Sequence, residues 1–459
     1  MKVDYLVVGA GAVGMAFCDT LLSQSDATVA IVDADTRPGG HWNHAYPFVR
    51  LHQPSMGYGV ESLPLGANRI DSAGLNAGLL ELASGVEIAA YFDALMRNRF
   101  LPSGRVHYFP LTRYENGSAR SLVSGQRLGI VARKIVDATL NRTEVPSRQR
   151  PAYRIAPGMT CIAPNELPDR VAPDASYVVV GAGKTGMDVI CWLLENGANP
   201  DAIRWIVPRD SWVLDRANFQ PGADFIDKFL ASGAHQVEAI NAASSIGDLL
   251  ARLELLGELR RIDRNVVPTA YHCATLSDAE LAQLRRITQV VRMGRVSSIE
   301  LDRIELDEGA IPTASNVIHV DCTARGLPPP PDLPVFDGDR INLLWVRQCQ
   351  PVFSAAFIAF VEANYAQQGE KNHLCAPIHA PQVPIDWLKM IRLDLINRKR
   401  WRGEPKIHDW LETTRLNPFS PLLKQIDPGD REKRDYSARY AQNAEAAERR
   451  AGELLAGVD

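Results

Sequence analysis

Two stretches of the chain repeat one pattern of apolar and polar positions. In the first, the apolar residues 5–8 precede a glycine-rich turn and a helical pattern over residues 13–23. In the second, the apolar residues 177–180 precede a similar turn and a helical pattern over residues 186–195. Each turn has the spacing G-x-G-x-x-G, formed by Gly9, Gly11 and Gly14 and by Gly181, Gly183 and Gly186. Each copy therefore predicts a strand, a tight turn and a helix.

The remaining periodicity predicts further elements around these two units. Short apolar runs predict strands over residues 28–32, 106–109, 122–123, 128–136, 203–207, 296–306, 317–320 and 341–346. We expect those between residues 106 and 136 to form a smaller sheet of their own. Helical spacing occurs in segments of residues 215–292 and over residues 87–99, 354–366 and the tail from residue 386. Residues 46–80 follow neither period and predict a long loop, which in a compact domain usually has a function.

This order of elements predicts an α/β protein with two Rossmann-like dinucleotide-binding domains, the second inserted into the first, plus a helical C-terminal tail. We expect the first part of the first domain over residues 1–150 and the second domain over residues 165–318. The chain would return to the first domain over residues 319–385. Residues 386–459 would then form a helical C-terminal extension.

Composition and charge exclude some classes of function. The chain has 459 residues, enough for about three domains, and 46% of them are hydrophobic, as in an ordinary globular protein. A net charge of -4 provides no basic surface for nucleic acid. The apolar stretch near the start is too short to span a bilayer and follows no basic segment, so we expect a cytoplasmic protein without a membrane span.

The seven cysteines are scattered, and none forms a C-x-x-C pair with another. This spacing is typical of reduced, mostly buried thiols. It predicts neither a zinc site nor a redox disulfide beside a cofactor, so no metal is expected. Pairing between cysteines that are distant in sequence stays open.

The glycines of both turns fit the binding of a dinucleotide. The first glycine permits the tight turn, the second lets the backbone approach a pyrophosphate, and the third lets helix and strand pack closely. The pyrophosphate would rest on the helix N-terminus, where unpaired N–H groups favour an anion. In the first copy, Asp33 follows the next strand, where a carboxylate accepts hydrogen bonds from the ribose hydroxyls. The alternative is a glycine-rich turn with a surface aspartate.

A second motif follows Asp33. It consists of a double glycine that ends at Gly40, then His41 and Trp42. An acidic residue followed by Gly-Gly-x-Trp resembles the flavin-containing monooxygenases. The resemblance implies that the first unit binds FAD, that the double glycine lets the chain pass close to it, and that the tryptophan packs nearby. The alternative is a turn followed by a core tryptophan.

Later segments extend this resemblance and also depart from it. Residues 136–139 and 320–323 are similar to the Ala-Thr-Gly signature of the family, and the resemblance implies that both strands return to the FAD domain. Leu140 and Ala324 stand where the family has glycine. Residues 342–346 resemble the late strand that leads to the flavin. The linker motif F-x-G-x-x-x-H of the family is missing.

The second unit predicts NADP as its ligand. Pro208 takes the place that Asp33 has in the first unit, and Arg209 lies beside it. An arginine there can form paired hydrogen bonds to a 2′-phosphate, which favours NADPH over NADH. The alternative is a surface arginine paired with Asp210. Lys184, inside the glycine turn, either adds positive charge near the phosphate or is exposed to solvent.

The long loop carries the candidates for catalysis. Arg50, His52 and Gln53 are polar residues in an otherwise apolar segment that follows the expected FAD contacts. They can bond the flavin ring or stabilise a peroxyflavin. The alternative is hydrogen bonding to the local backbone.

These features favour an FAD-dependent, NADPH-using oxidoreductase, and the resemblance implies a flavin monooxygenase. Such an enzyme would transfer hydride to FAD and use O2 through a peroxyflavin on a small organic substrate. A reductase or oxidase without oxygen insertion shares the expected fold, and a non-catalytic redox sensor is the alternative from another class. The substrate and a homo-oligomeric state stay open.

Overall fold

The computed structural model describes residues 1–141, 143–172, 174–324, 326, 332–427 and 429–457. Its N-terminal part contains β1 (Lys2–Val8), α1 (Ala12–Gln24), β2 (Val29–Val32), α2 (Gly85–Leu95), β3 (Val106–Phe109), β4 (Thr112–Glu115), β5 (Ser118–Ser121), β6 (Arg127–Leu128) and β7 (Val131–Asp137).

The middle of the chain alternates between strands and helices. It contains β8 (Arg154–Ile155), β9 (Thr160–Ile162), β10 (Tyr177–Val180), α3 (Lys184–Glu195), β11 (Ile203–Ile206), β12 (Ser211–Asp215), α4 (Ile226–Ala242), α5 (Ile246–Leu255), β13 (Leu259–Arg260), β14 (Ala270–Leu276), α6 (Asp278–Leu284), β15 (Gln289–Val291), β16 (Val296–Ile299), β17 (Arg303–Leu306), β18 (Gly309–Pro312) and β19 (Ile318–Asp321).

The last part is mostly helical. It contains β20 (Phe336–Asp337), β21 (Arg340–Asn342), α7 (Pro351–Asn364), α8 (Gln368–Leu374), α9 (Pro384–Arg402), α10 (Pro405–Thr413), α11 (Phe419–Lys424) and α12 (Arg431–Ala456).

Two parallel sheets organise these elements. The first has the strand order β20-β21-β7-β1-β2-β3, and only β20 in it is antiparallel to its neighbour. The second has the order β15-β11-β10-β19-β9 and is parallel throughout. In each, the strand before the glycine turn lies inside the sheet. Both turns therefore open at the carboxyl edge of a parallel sheet, where open α/β sheets bind their ligands.

Both faces of each sheet are covered, which explains why the strands before the turns are apolar at successive positions. Tyr177 and Val179 face the core with α3, whereas Val178 and Val180 pack against the antiparallel sheet β18-β17-β16-β8. In the first sheet, Leu6 packs with the small antiparallel sheet β4-β5-β6, while the opposite face packs against α1 and α7.

Several expected elements lie elsewhere in the fold. Strands β3 and β7 belong to the first large sheet, so the expected smaller sheet consists of β4, β5 and β6 instead. Residues 215–292 contain α4, α5 and α6, but also three strands: β13 and β14, which pair with β12 in a third sheet, and β15, which pairs with β11. The strand β14 was missed because its apolar residues are also compatible with a buried helix.

Strand pairing shifts the expected domain limits. Strand β19 begins at residue 318 and pairs with β10, so the second sheet continues through Asp321. Strand β9, before residue 165, also belongs to this sheet. We therefore propose that the second domain spans residues 154–321, while the return segment begins with β20 and β21.

The C-terminal helices form a layer against the second domain. The buried residues of α12 recur at helical spacing and are Ala444, Ala447, Ala451 and Leu454. They pack with α4 and α9 in one apolar cluster. Arg439 adds a bidentate ion pair to Glu238 of α4, at 2.7 Å for both hydrogen bonds. None of the helices in the described ranges has the length and apolar content that a membrane crossing requires.

One covalent bond joins β14 of the second domain to the segment before α7. The Sγ atoms of Cys273 and Cys349 lie 1.96 Å apart. The expectation that the cysteines are reduced is therefore wrong for this pair, which no motif marks because 76 positions separate its members. The free cysteines are Cys18, Cys161, Cys191, Cys322 and Cys375, all buried except the half-buried Cys161. No group of residues suited to hold a metal ion is found in the described part of the chain.

We expect Cys273→Ser and Cys349→Ser each to lower the free energy of unfolding of the oxidised protein by about 2–4 kcal/mol, because the bond restricts a long loop of the unfolded chain. The double variant should lose no more than either single variant, since all three remove the same bond. Denaturant unfolding with and without a thiol reductant measures the effect. Cys375→Ser, which removes a buried free thiol, should keep the response to the reductant. A non-reducing peptide map with both thiols free would contradict the bond.

Candidate dinucleotide sites and the interface between them

Two positions of the first glycine turn, Gly9 and Gly14, require glycine. Gly9 has a φ of 104°, in the region that favours glycine. A Cβ atom on Gly14 would lie 2.1 Å from the carbonyl oxygen of Gly9. Gly11 faces the backbone of the double-glycine segment, because a Cβ atom on Gly40 would lie 3.0 Å from the Gly11 Cα. The turn and the segment after Asp33 thus meet backbone to backbone.

Asp33 holds this turn in place. Asp33 is buried, with 9% of its surface exposed. Oδ2 accepts a hydrogen bond from the Ala10 N–H at 2.5 Å, and Oδ1 accepts one from the Asp35 N–H at 2.7 Å. The alternative of a surface aspartate is therefore wrong. The contact expected between Asp33 and a ribose stays a prediction.

His41 and Trp42 lie together beside the first turn. Their ring centroids are 4.8 Å apart, and Trp42 Nε1 donates to the Tyr58 hydroxyl at 2.8 Å. Burial, together with the charge of His44, lowers the pKa of His41 to about 4. His41 is therefore a neutral imidazole at neutral pH, able to donate or accept one hydrogen bond.

The second turn has the same geometry and is more open. Gly181 has a φ of 117°, and a Cβ atom on Gly186 would lie 2.3 Å from the Gly181 carbonyl oxygen. A Cβ atom on Gly183 would meet no heavy atom within 4 Å. Trp205 Nε1 fixes the turn by donating to the Gly181 carbonyl at 2.9 Å. The position that would face a pyrophosphate is thus free of protein atoms.

Each glycine turn has one of the two Ala-Thr-Gly-like segments at its side. The Thr139 and Thr323 hydroxyls each donate to the aspartate two residues earlier, at 2.6 Å in both cases. Ala138 contacts the first turn, and Cys322 contacts the second. The expectation that both segments return to the first domain is therefore wrong, since Cys322 follows a strand of the second sheet. A cavity of about 440 Å³ opens beside Thr139.

Arg209 is exposed at the end of β11. The alternative in which it pairs with Asp210 is wrong, because Asp210 accepts two hydrogen bonds from Arg292, at 2.8 and 3.1 Å. Within the described ranges, Arg209 makes no ion pair of its own. Its guanidinium is thus available to an anionic ligand, and the recognition of a 2′-phosphate stays a prediction.

Lys184 turns into the interface between the domains. Its side chain is 12% exposed, so the solvent-exposed alternative is wrong. Nζ forms a hydrogen bond with Asp188 and lies 3.5 Å from Glu280. Burial opposes the charge of Lys184, but Asp188 and Glu280 outweigh it and raise its pKa. Lys184 therefore stays charged, and a contact with phosphate remains a prediction.

Arg216 completes this interface. It is 1% exposed, and its Nη2 lies 2.6 Å from Glu280 Oε2. Nη1 donates to Asn76 Oδ1 at 3.0 Å, and Nε donates to the His52 carbonyl at 3.0 Å. Sequence reasoning missed both Arg216 and Glu280, because they belong to no motif and face each other only after the chain folds.

The long loop crosses from the first domain to the second. The Tyr46 hydroxyl donates to Asp188 Oδ2 at 2.6 Å. The ring of Phe48 stacks on Trp192 of α3, with centroids 4.8 Å apart. The His52 carbonyl accepts the hydrogen bond that Arg216 of the second domain donates from Nε. The loop therefore fixes the position of one glycine turn relative to the other.

The three catalytic candidates occupy different surroundings. The His52 side chain is half-buried, and burial, Lys184, Arg216 and His41 hold its pKa well below the usual value. Arg50 is exposed, and its Nη1 donates to the Leu82 carbonyl at 3.0 Å. Gln53 is half-buried. The structure thus brings His52 into the interdomain interface and leaves Arg50 at the surface, while a catalytic role stays a prediction for all three.

The sequence is similar to that of other proteins. The chain is 52% identical over 427 residues to an uncharacterized protein of Mycobacterium tuberculosis and to one of Mycobacterium bovis. Each alignment covers 93% of this chain and 79% of the relative. The chain belongs to the family of these mycobacterial proteins. In addition, the family described as NAD(P)-binding Rossmann-like domain matches residues 7–64, which contain the first glycine turn.

Comparison with solved structures gives two matches of low sequence identity. The polycyclic ketone monooxygenase of Thermothelomyces thermophila is 12% identical, covers 98% of this chain and 85% of its own, and has a TM-score of 0.50. The OTEMO complex with FAD and NADP is 14% identical, covers 79% and 84%, and has a TM-score of 0.49. The polycyclic ketone monooxygenase confirms the predicted α/β fold and the resemblance to flavin monooxygenases at the level of the fold.

We expect Gly183→Ala and Gly186→Ala to behave differently, although both add one methyl group to the same turn. Gly183→Ala should fold normally, because its Cβ meets no protein atom, and should weaken the binding of NADPH by occupying the approach to the phosphates. Gly186→Ala should lower thermal stability, because its Cβ would clash with the Gly181 carbonyl. Thermal melting and NADPH titration separate the two. Equal melting temperatures would contradict the packing role of Gly186.

Proposed function

We propose that this protein is an FAD-dependent, NADPH-using oxidoreductase, and that it acts as a monooxygenase on a small organic substrate. The observation that carries the proposal is the pair of glycine turns. Each lies at the carboxyl edge of its own parallel sheet, and the loop of residues 46–53 connects them. Two such turns fixed relative to each other suit electron transfer between two dinucleotides.

The residues of the first turn fit FAD. The Gly11 and Gly40 backbones face each other without side chains, so a ligand bound there would be bordered by backbone alone. Asp33 directly follows β2, where its carboxylate would accept hydrogen bonds from the ribose, and Trp42 lies beside the turn. When bound, FAD would supply the capacity to accept a hydride and to pass electrons to O2. The fold of the polycyclic ketone monooxygenase, whose name states its activity, supports the same assignment.

The residues of the second turn fit NADPH. The open space at Gly183 can take a pyrophosphate against the start of α3, and the exposed Arg209 can hold a 2′-phosphate. At the interface between the two turns, the Phe48 ring packs on Trp192. His41 and His52, both held neutral at neutral pH, can position a proton there without adding charge.

We expect the purified protein to be yellow and to lose its flavin absorbance when NADPH is added without air. In air and with substrate, 18O2 should leave its label in the product. Peroxide without labelled product would identify an oxidase or reductase, which shares this geometry. A protein that binds no flavin, or whose flavin NADPH does not reduce, would overturn the proposal and favour a non-catalytic binding role.

We expect Arg209→Ala to raise the KM for NADPH about 10-fold or more, because charge-assisted hydrogen bonds are worth about 1.5–3 kcal/mol. The KM for NADH should change little, since NADH has no 2′-phosphate. Arg264→Ala, which removes another exposed arginine of the second domain, is the matched control and should leave both values unchanged. Equal effects of Arg209→Ala on both nucleotides would show that Arg209 does not read the phosphate.

A further inference from the structure

The disulfide bond between Cys273 and Cys349 ties a strand of the second domain to a segment that α9 holds in place. The N–H of Gln348 donates to Asp394 Oδ1 at 3.2 Å, and the Cys349 Sγ lies 3.7 Å from the Met390 Sδ. Asp394 and Met390 both belong to α9. The Cys349 side of the bond therefore has a fixed support.

Strand β14 is irregular at Cys273. Its parallel pairing with β12 shifts between the pair Tyr271–Trp212 and the pair Thr275–Leu214, so three residues of β14 stand against one of β12. A bulge of this kind bends the strand and leaves residues unpaired. Cys273 is the middle residue of the bulge.

Both cysteines of the bond have a backbone conformation that glycine favours. The φ of Cys273 is 55° and that of Cys349 is 49°. A residue with a side chain keeps such a conformation only where its surroundings hold it. This part of β14 is also held by hydrogen bonds to the carbonyls of residues 381 and 382, at 3.2 and 3.3 Å, which are at the long end of the usual range. The covalent bond is therefore the strongest restraint on the bulge.

The residues before the bulge hold the segment that carries Arg209. The N–H groups of Thr269 and Ala270 both donate to the Asp210 carbonyl, at 3.0 Å each. Asp210 directly follows Arg209, the exposed arginine that can hold a 2′-phosphate. The position of Arg209 therefore depends on the position of the start of β14.

The residues after the bulge hold the loop of the first domain. Thr275 Oγ1 donates to the His52 carbonyl, and the Thr275 carbonyl accepts a hydrogen bond from Arg216 Nη2 at 3.2 Å. This end of β14 is thus fixed in the interface between the domains. A change in the bulge consequently moves the other end of the strand, next to Arg209.

A reductant can reach the bond. Cys273 and Cys349 are half-buried, whereas the free thiols other than Cys161 are buried. A dithiol that reduces the bond gives up two electrons and two protons: the Sγ–Sγ bond breaks, two protein thiols form, and the reductant closes into its own disulfide. Reduction therefore frees both cysteines to leave the positive-φ conformation.

We propose that the Cys273–Cys349 bond is a redox switch for the second dinucleotide site. With the bond closed, the bulge keeps the start of β14 in place, and Arg209 with it. When a dithiol reduces the bond, β14 relaxes and Arg209 loses its position, so the site binds NADP⁺ and NADPH more weakly. That the ligand carries a 2′-phosphate rests on the proposed function, whereas the change in β14 does not.

Amide hydrogen exchange of the full-length protein, before and after reduction by dithiothreitol, tests the change in β14. Exchange over residues 269–275 should become faster, while exchange in β1 should stay the same. Cys273→Ser and Cys349→Ser should exchange like the reduced protein under both conditions. Cys375→Ser, which lacks a buried free thiol, should respond to dithiothreitol as the unaltered protein does.

The unaltered protein carries this test even if a serine variant fails to fold. Alkylation and peptide mapping show whether both thiols have been released. Unchanged exchange over residues 269–275 in protein whose two thiols are free would overturn the switch.

Titration with NADP⁺, which donates no hydride, measures the effect on the nucleotide site. Reduction of the bond should weaken NADP⁺ binding about 5-fold or more, within the usual range of coupling between two sites. Reciprocally, saturating NADP⁺ should make the bond harder to reduce by the same factor in dithiothreitol redox buffers. Arg209→Ala should bind NADP⁺ weakly in both states. Equal affinity of the oxidised and reduced protein, or a redox dependence that Arg209→Ala retains in full, overturns the switch.

Bleaching of the flavin at limiting NADPH, recorded on the same samples, separates the switch from the proposed function. A flavin that NADPH bleaches equally in both redox states overturns the switch and leaves the proposed function intact. A protein without flavin that binds NADP⁺ more weakly after reduction overturns the proposed function and supports the switch. A protein that binds neither FAD nor NADP⁺ overturns both.

Discussion

The close approach of a helix to the end of a strand is the constraint on which the rest of this structure depends. In both large sheets, the third glycine of the turn lies so close to the carbonyl of the first that any Cβ atom would overlap with it. This contact brings the helix N-terminus to the carboxyl edge of the sheet, with its unpaired N–H groups facing outward. The placement of both proposed dinucleotides follows from this contact, made once in each domain.

The second requirement is that the two turns keep a fixed relation. The structure meets it with a loop of the first domain that packs on the second, and with buried charges in balance. Phe48 stacks on Trp192, Tyr46 bonds Asp188, and the Arg216 guanidinium bonds the backbone of the loop. A buried ion pair contributes little net stability but strongly disfavours arrangements that leave a charge unpaired. The network therefore selects one orientation of the domains more than it strengthens the fold.

Charged side chains meet at two further places in the structure. At the domain interface, two cations face two carboxylates and the charges cancel. Near the start of α7, Arg398 pairs with Asp394, and the buried Arg347 donates to Asn417. A cluster that is complete by itself serves the fold.

The sequence by itself determined the strand–turn–helix units, since their requirements are local and are met within ten residues around Gly9 and Gly181. It also determined the strands that flank them, because burial on both faces demands apolar side chains at successive positions. It misjudged β14, whose apolar run suits a buried helix equally well, and it left open the surroundings of Lys184 and Asp210. Only the tertiary structure decided the bond between Cys273 and Cys349, the partners of Arg216, and the hydrogen bond from Arg347 to Asn417. These contacts join residues far apart in the chain, so no local spacing could indicate them: their geometry exists only once the sheets and helices have packed.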